Sequence, residues 1–263
     1  GDYIMSATSS KLKNPNDSVM NQRVIKLAWP IFLQLLLGIS LGYVDTIMLS
    51  NYNETAVGAI GNANQVLGFL TLAFNIISSA TGIIVSQYLG AGKKEKMNMI
   101  YTVALSFNLV LSIVISFVVF SRNLLEAMQV PAAMLDESDM YMRIVGGTIF
   151  TQALINAFNS IFASNGKTVF GMIIGLGMNI INICGNALLL YGPLQVLGLG
   201  ASGAAVSTCG SRVIAVIASV IYFYTVIKGK FSLKYLRPFP YDVLKSLLKL
   251  GIPTAGENIS YDC

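Results

Sequence analysis

The sequence predicts an all-α integral membrane protein, and three observations support this fold class. Hydrophobic residues make up 54% of the 263 residues, whereas charged residues make up only 11%. Soluble domains carry roughly a quarter of their residues as Asp, Glu, Lys or Arg, so this chain has too little charge to cover a soluble surface. Six apolar runs are also long enough to cross a bilayer core as helices, which takes about 20 residues each.

The six runs are the predicted spans. They extend approximately over Leu27–Leu49, Val57–Leu89, Met97–Phe120, Tyr141–Ala163, Val169–Tyr191 and Leu197–Ile227. The second and sixth runs exceed a perpendicular span, so we expect them to tilt, bend or project beyond the bilayer. The polar residues before the first run lack an apolar core and a small-residue cleavage site, which argues against a cleavable signal peptide.

Basic residues predict the orientation of the spans, because cytoplasmic loops are enriched in Lys and Arg. Fourteen of the 17 basic residues fall in segments that would share one face: Lys11, Lys13, Arg23, Lys26, Lys93, Lys94, Lys96, Lys167, Lys228, Lys230, Lys234, Arg237, Lys245 and Lys249. We expect a multi-pass protein of the cell membrane with a cytoplasmic amino terminus. The lipid bilayer is then the partner of the basic loops, and nucleic acid is not an expected partner.

A short internal repeat predicts a larger protein. Ile25–Pro30 reads IKLAWP and Leu248–Pro253 reads LKLGIP, each at the cytoplasmic start of an apolar segment. Six spans lie between the copies, so the second would run parallel to the first, as in transporters built from two similar six-helix halves. We therefore expect half of a twelve-helix, pseudo-symmetric transporter plus the start of a seventh helix; a chance juxtamembrane match is the alternative.

This interpretation divides the chain into four segments. Residues 1–24 are a polar cytoplasmic segment, residues 25–227 the six-helix amino-terminal lobe, residues 228–245 a cytoplasmic inter-lobe linker, and residues 246–263 the truncated start of helix seven. The missing carboxy-terminal lobe of the same protein would be the partner of this lobe. A six-span ion channel subunit is a non-transport alternative, and the repeat argues against it.

The sequence does not predict an enzyme or a bound cofactor. Histidine is absent, which excludes Ser-His-Asp and Cys-His arrangements and leaves proton chemistry to carboxylates. The three cysteines have no CxxC spacing, so neither a disulfide framework nor a zinc site is indicated.

The first run carries one carboxylate, Asp45, and ionisable groups inside spans are costly enough to suggest a function. Gln34 lies on the same helix face, with a small-residue strip of Gly38 and Gly42 between them. Pro30 removes a backbone hydrogen bond and so provides a hinge. A carboxylate beyond a hinge predicts a switch; the alternative is an Asp45 that contacts water at the outer interface without a coupling role.

Amide side chains recur along one face of two other runs. They are Asn179, Asn182 and Asn186 in the fifth run, and Gln152, Asn156 and Asn159 in the fourth. Amides in lipid need partners, so both stripes should face the helix interior or a wet cavity. They could be interhelical hydrogen-bond contacts alone, or, beside a carboxylate, oxygen ligands for a hard cation such as sodium.

The sixth run places Arg212 one turn after Thr208 on the same face, within a stretch rich in small residues. Small residues favour close approach of a neighbouring helix. For Arg212 we favour structural pairing with carbonyls, or snorkelling, over contact with a substrate.

Together these segments resemble the multidrug and toxic compound extrusion (MATE) family of secondary transporters, over essentially the whole chain after residue 24. The matching segments are KLAWP at Lys26–Pro30 with VDT at Val44–Thr46, VGAIGNANQ leading to SQYLGAGK at Ser86–Lys93, ASNGKT at Ala163–Thr168, NIINICGN at Asn179–Asn186, and GASGAAVSTCGSR at Gly200–Arg212.

The resemblance implies two six-helix lobes around a cavity that opens alternately to each side. It implies export of cationic or amphipathic organic compounds, such as drugs, against inward sodium or protons. Asp45 would be the coupling carboxylate, joined around the cation by Asn182, Asn186 and Thr208; sodium would bind Asp45, Asn182 and Asn186. Some members have Asp where Asn186 stands, so this site would hold one carboxylate instead of two.

The remaining cavity candidates are Gln34, Gln152, Asn156, Asn159 and Glu257. Many members have a seventh-helix Glu where this chain has Tyr261, and Glu257 is the repeat-equivalent of Gln34. A lipid-linked oligosaccharide flippase of the same superfamily is the alternative function. Several cationic cavity residues would be expected for it, whereas Arg212 is the one candidate here.

Overall fold

A computed structural model describes residues 15–52, 54–120, 125, 130–193, 201–237, 241–247 and 249–250. All regular secondary structure in these residues is helical, which confirms the all-α prediction. The long helices are α1 (Pro15–Tyr52), α2 (Glu54–Gly90), α3 (Met97–Val119), α4 (Ala132–Gly147), α5 (Ile149–Ser164), α6 (Thr168–Asn186) and α7 (Ala201–Tyr222). Short π-helical segments, Ala187–Tyr191 and Phe223–Ile227, continue α6 and α7.

Four of the described helical segments are long and apolar enough to cross a membrane. They are Val57–Gly90, Met97–Val119, Thr168–Tyr191 and Ser202–Ile227, which match the second, third, fifth and sixth predicted runs. The first run lies inside α1, where Val24–Leu36 is a shorter apolar stretch. The chain is thus a multi-pass membrane protein by length and composition of its helices.

The fourth run was predicted as one uninterrupted span, but the structure breaks it. Met134–Gly147 and Ile149–Ser164 meet at an angle of 47° around Thr148, and they are long and apolar enough for a span only when taken together. The Thr148 hydroxyl donates to Ile144 O and Val145 O instead of facing outward. Such back-bonding competes with the helix ladder and bends helices. Gly146 stabilises the bend by close packing, because an added Cβ would lie 2.1 Å from Val119.

Helix α2 forms the centre of the lobe, with α3, α4 and α5 packed around it. Small residues permit this close packing: Ala59, Ala63 and Ala80 are fully buried on α2. Serines of α5 bond to the α2 backbone, with Ser164 Oγ donating to Gly82 O over 3.0 Å. Hydrogen bonds and tight packing replace the hydrophobic effect as the force that holds helices together in lipid.

Helix α6 joins the remaining helices to this centre, since it packs against both α1 and α7. Pro30 lies buried within α1, and the helix continues through it on both sides. Its ring removes one hydrogen bond of the helix ladder at that point. The predicted hinge at Pro30 stays a prediction.

The segment after α7 reverses direction at Lys228, which has a left-handed backbone with φ of 56°. Gly229 follows with its backbone against the Phe223 ring, where an added Cβ would lie 2.2 Å away. Residues 241–247 are helical and pack Val243 and Leu247 onto the cluster around Phe158 and Phe162. The predicted linker at residues 228–245 therefore contains the start of this helix, and most of the predicted seventh-helix segment lies outside the described residues.

Candidate functional site

Polar side chains of α6 and α7 meet directly inside the lobe. Asn182 Nδ2 donates to Thr208 Oγ1 over 3.1 Å and approaches Ser207 Oγ at 3.4 Å. Ser207 Oγ in turn donates to Asn182 O over 2.7 Å. Gly185 makes this approach possible, because a Cβ there would lie 2.3 Å from Ser207 Oγ. We call Asn182, Thr208, Ser207 and Asn186 the amide–hydroxyl cluster.

Asn186 lies one helical turn after Asn182 and is fully buried, and we assign it to the cluster by this position. The side-chain nitrogen of Asn182 donates to the two hydroxyls, so its side-chain carbonyl oxygen remains available as a ligand. The cluster thus presents neutral oxygens inside the lobe. Among the described residues no three His, Cys, Asp or Glu side chains lie together in a way that could hold a metal ion.

The backbone of Asp45 lies at the same depth as this cluster, although its side chain is outside the described part of the structure. Tyr191 OH donates to Met48 O, which fixes α1 against the end of α6. Gln34 of α1 lies against Gly175 of α6, so at 1.5 Å per residue Asp45 lies about 16.5 Å beyond this contact along α1, and Asn186 about 16.5 Å beyond it along α6. Because the two contacts follow in the same order along both helices, α1 and α6 run in the same direction and the two residues lie at a similar depth.

A second contact joins α1 to α6 nearer the amino-terminal ends of both helices. Gln34 lies over two glycines of α6: an added Cβ would stand 3.4 Å from Gln34 Cγ at Gly175, and 3.7 Å from Gln34 Oε1 at Gly171. The same Cβ at Gly171 would stand 3.1 Å from Asn159 Oδ1. Gln34 and Asn159 therefore both border Gly171, in a glycine groove that the sequence analysis did not single out although the i, i+4 glycine spacing was visible.

A third group forms a hydrogen-bonded amide chain across α5 and α2. Gln152 Nε2 donates to Asn156 Oδ1 over 2.8 Å, and Asn156 Nδ2 donates to Asn75 Oδ1 over 2.8 Å. Asn75 was missed at the sequence level, because its partner is 81 residues away. Gln152 and Asn75 of this amide chain line a cavity of about 380 Å³ that is also lined by Arg212.

The predicted site residues therefore fall into three contacts instead of one pocket. Asn182 donates to Thr208, Gln34 and Asn159 both border Gly171, and Gln152 donates to Asn156. Asn179 is half-buried on α6, and none of the described contacts assigns it a role. Glu257 lies outside the described residues. Whether these residues bind a cation or substrate stays a prediction.

Helices of bilayer length with amide, hydroxyl and guanidinium groups turned inward define a polytopic membrane protein with a polar interior. The family model MatE matches residues 30–188. The chain belongs to the MatE family, which confirms the predicted resemblance.

Individual relatives agree with this assignment. The uncharacterized transporter YisQ of Bacillus subtilis is 39% identical over 257 residues, a match covering 97% of this chain and 56% of YisQ. The multidrug resistance protein NorM of Photobacterium profundum is 25% identical over 241 residues, covering 89% of this chain and 52% of NorM. The chain spans about half the length of the curated relatives it matches.

Solved structures confirm the predicted fold class, half of a twelve-helix transporter. The crystal structure of a variant of the Vibrio cholerae MATE transporter VcmN superposes with a TM-score of 0.81 at 16% identity. The match covers 90% of this chain and 53% of that transporter. At this identity the likeness concerns the fold alone.

Proposed function

We propose that the full-length protein is a secondary active multidrug efflux transporter. It exports cationic or amphipathic organic compounds by alternating access, driven by sodium or proton antiport, and it is not an enzyme. The observation that carries this proposal is the contact between Asn182 and Thr208 beside buried Asn186, at the depth of Asp45, in a chain of the MatE family. The multidrug resistance protein NorM among its relatives supports the substrate class.

The coupling step follows from the cost of a charge inside the membrane. An ionised Asp45 without a counter-charge is unfavourable in a span, so a proton or a cation from outside binds there. The neutral oxygens of Asn182, Asn186 and Thr208 complete the shell of a sodium ion, whereas a proton needs only the carboxylate. Neutralising Asp45 shifts the balance between the two packings of the lobe, by the difference in affinity of the cation for each.

The test is efflux by the full-length protein in proteoliposomes, with sodium and pH gradients imposed separately. Asp45→Asn removes the coupling charge and is expected to abolish gradient-driven efflux and the drug resistance of cells that express it. Asp242→Asn, an exposed carboxylate of the helical segment 241–247, is the matched control and should transport normally. Intact gradient-driven export by Asp45→Asn would refute the proposal.

We place this transporter in the plasma membrane with its amino terminus in the cytoplasm, as the distribution of basic residues predicts. Its other lobe supplies half of the substrate cavity. Drug export is favoured over lipid-linked oligosaccharide flipping, since among the described spans Arg212 is the basic residue that lines an interior cavity.

A further inference from the structure

A polar recess lies between α2, α4, α5 and α7, and none of its described lining residues belongs to the amide–hydroxyl cluster. Its volume is about 380 Å³, a size typical of small-molecule sites. Five polar side chains line it: Asn64, Thr71, Asn75, Gln152 and Arg212. None of the described residues that line it is a carboxylate. We call it the Arg212 recess.

Arg212 is a permanent positive charge near the middle of α7, with half of the helix on either side. A guanidinium keeps its proton in proteins and offers five donors in a planar fork. Within the described residues it makes no hydrogen bond or ion pair; the ion pair found there joins Arg143 to Asp139 on α4. The pairing of Arg212 with carbonyl oxygens that the sequence suggested is therefore absent from the described residues. A charge in a span without an opposite charge or hydrogen-bond partner is unfavourable.

Asn75, which also lines the recess, supplies a second hydrogen-bond donor. In the amide chain from Gln152 through Asn156, the carbonyl oxygen of Asn75 is the acceptor. The amide group of Asn75 is thereby oriented, and its NH₂ remains available to donate. Thr71 Oγ1 is directed away, since it donates to Leu67 O over 2.6 Å. An oriented amide donor in the same recess as a guanidinium fork suits a planar oxyanion, and Arg frequently binds a carboxylate through two parallel hydrogen bonds.

The remaining wall is apolar and determines the kind of molecule that carries this anion. Leu67, Val145 and Ile149 line the recess next to the polar groups. An apolar body can bury surface against these side chains while its carboxylate meets Arg212. A purely cationic compound would be repelled at the same place.

We propose that the Arg212 recess binds the carboxylate of an amphipathic substrate. Zwitterionic and anionic amphiphiles are then ligands of this lobe, in addition to the cationic compounds assigned above. The role in export rests on the proposed function, but binding at the recess can be measured without transport.

The binding test uses purified full-length protein in detergent and a matched pair of dyes. Tetramethylrhodamine has a free carboxylate, and its methyl ester lacks that charge on the same apolar body. Fluorescence anisotropy should show that Arg212→Gln weakens binding of the free acid by about tenfold or more, as expected for a charge-assisted hydrogen bond, with less than about a twofold change for the ester. Arg237→Gln removes an exposed guanidinium outside the spans and should change neither affinity.

Arg212→Lys keeps the charge but not the fork, so it should retain part of the preference for the free acid. It also keeps the test decisive if Arg212→Gln is unstable. Competition against the bound free acid then shows whether the recess prefers a carboxylate to any other anion. Benzoate should displace the dye from wild-type protein at lower concentrations than chloride. Equal potency of the two anions, or equal effects of Arg212→Gln on acid and ester, would overturn the proposal.

The experiments distinguish an error in the proposed carboxylate binding at the recess from an error in the proposed transport function. If the protein binds the free acid through Arg212 but exports neither dye under any gradient, the recess is established and the efflux function is wrong. If gradient-driven efflux of the ester is present but acid and ester bind alike, the efflux function stands and the recess does not bind carboxylates.

Discussion

Gly185 provides the sharpest test of the amide–hydroxyl cluster, because it sets the distance between α6 and α7. A Cβ at this position would lie 2.3 Å from Ser207 Oγ, 3.0 Å from Ser207 Cβ and 3.6 Å from its Cα. Ordinary contact begins near 3.4 Å, so Ser207 Oγ would have to move by about 1 Å. A change of Ser207 rotamer relieves only the first contact and breaks the hydrogen bond to Asn182 O.

Gly185→Ala is therefore expected to destabilise the full-length protein by about 1–3 kcal/mol, the usual cost of overpacking. It should also reduce gradient-driven efflux, because Asn182 and Thr208 move apart. Thermal unfolding in detergent measures the first effect and proteoliposome efflux the second. Gly177→Ala on the same helix is the control, since nothing lies within 4 Å of a Cβ there. If the two variants unfold at the same temperature and transport equally, the close approach of α6 and α7 has no functional role.

Two further predictions concern the cluster and the fragment. Thr208→Val, which keeps the shape but removes the hydroxyl that accepts from Asn182, should reduce gradient-driven efflux, whereas Thr208→Ser should retain it; equal transport by both variants would exclude Thr208 from the site. Residues 1–263 alone, reconstituted in proteoliposomes, should not export dye under any gradient because half of the cavity is missing, and gradient-dependent efflux by this fragment would refute the two-lobe interpretation.

The sequence predicted the helices well because a bilayer permits few alternatives. A span must satisfy its backbone internally, so an apolar run such as Met97–Phe120 can only be a helix, and the structure gives Met97–Val119. The bend at Thr148 was not predictable in this way. It depends on Gly146 packing against Val119 of α3, a contact between distant parts of the sequence.

The candidate residues were predicted from the pattern within each helix. That pattern indicates which helix face a residue lies on, but not which residue of another helix it contacts. Asn182 of the predicted stripe contacts Thr208 of the next span, and the role of this pair in cation binding stays a prediction. Gln152 and Asn156 were grouped with Asn159, yet the structure bonds Asn156 to Gln152 and Asn75 and places Asn159 beside Gly171 of α6. A helical period assigns residues to a face within one helix, whereas the neighbour that faces them depends on how the helices pack.

Asp45 and Arg212 both carry a charge into a membrane span, where the loss of water costs free energy. A span retains an ionisable side chain only where a partner offsets the loss of water, and the partner need not be part of the protein. Asp45 lies level with neutral oxygens that can help hold a cation but cannot neutralise a carboxylate. Arg212 lines a recess with amide side chains and apolar walls, but with no carboxylate among the described lining residues. Under both proposals a ligand balances each charge, so occupancy of each site would bias which packing of the lobe is stable.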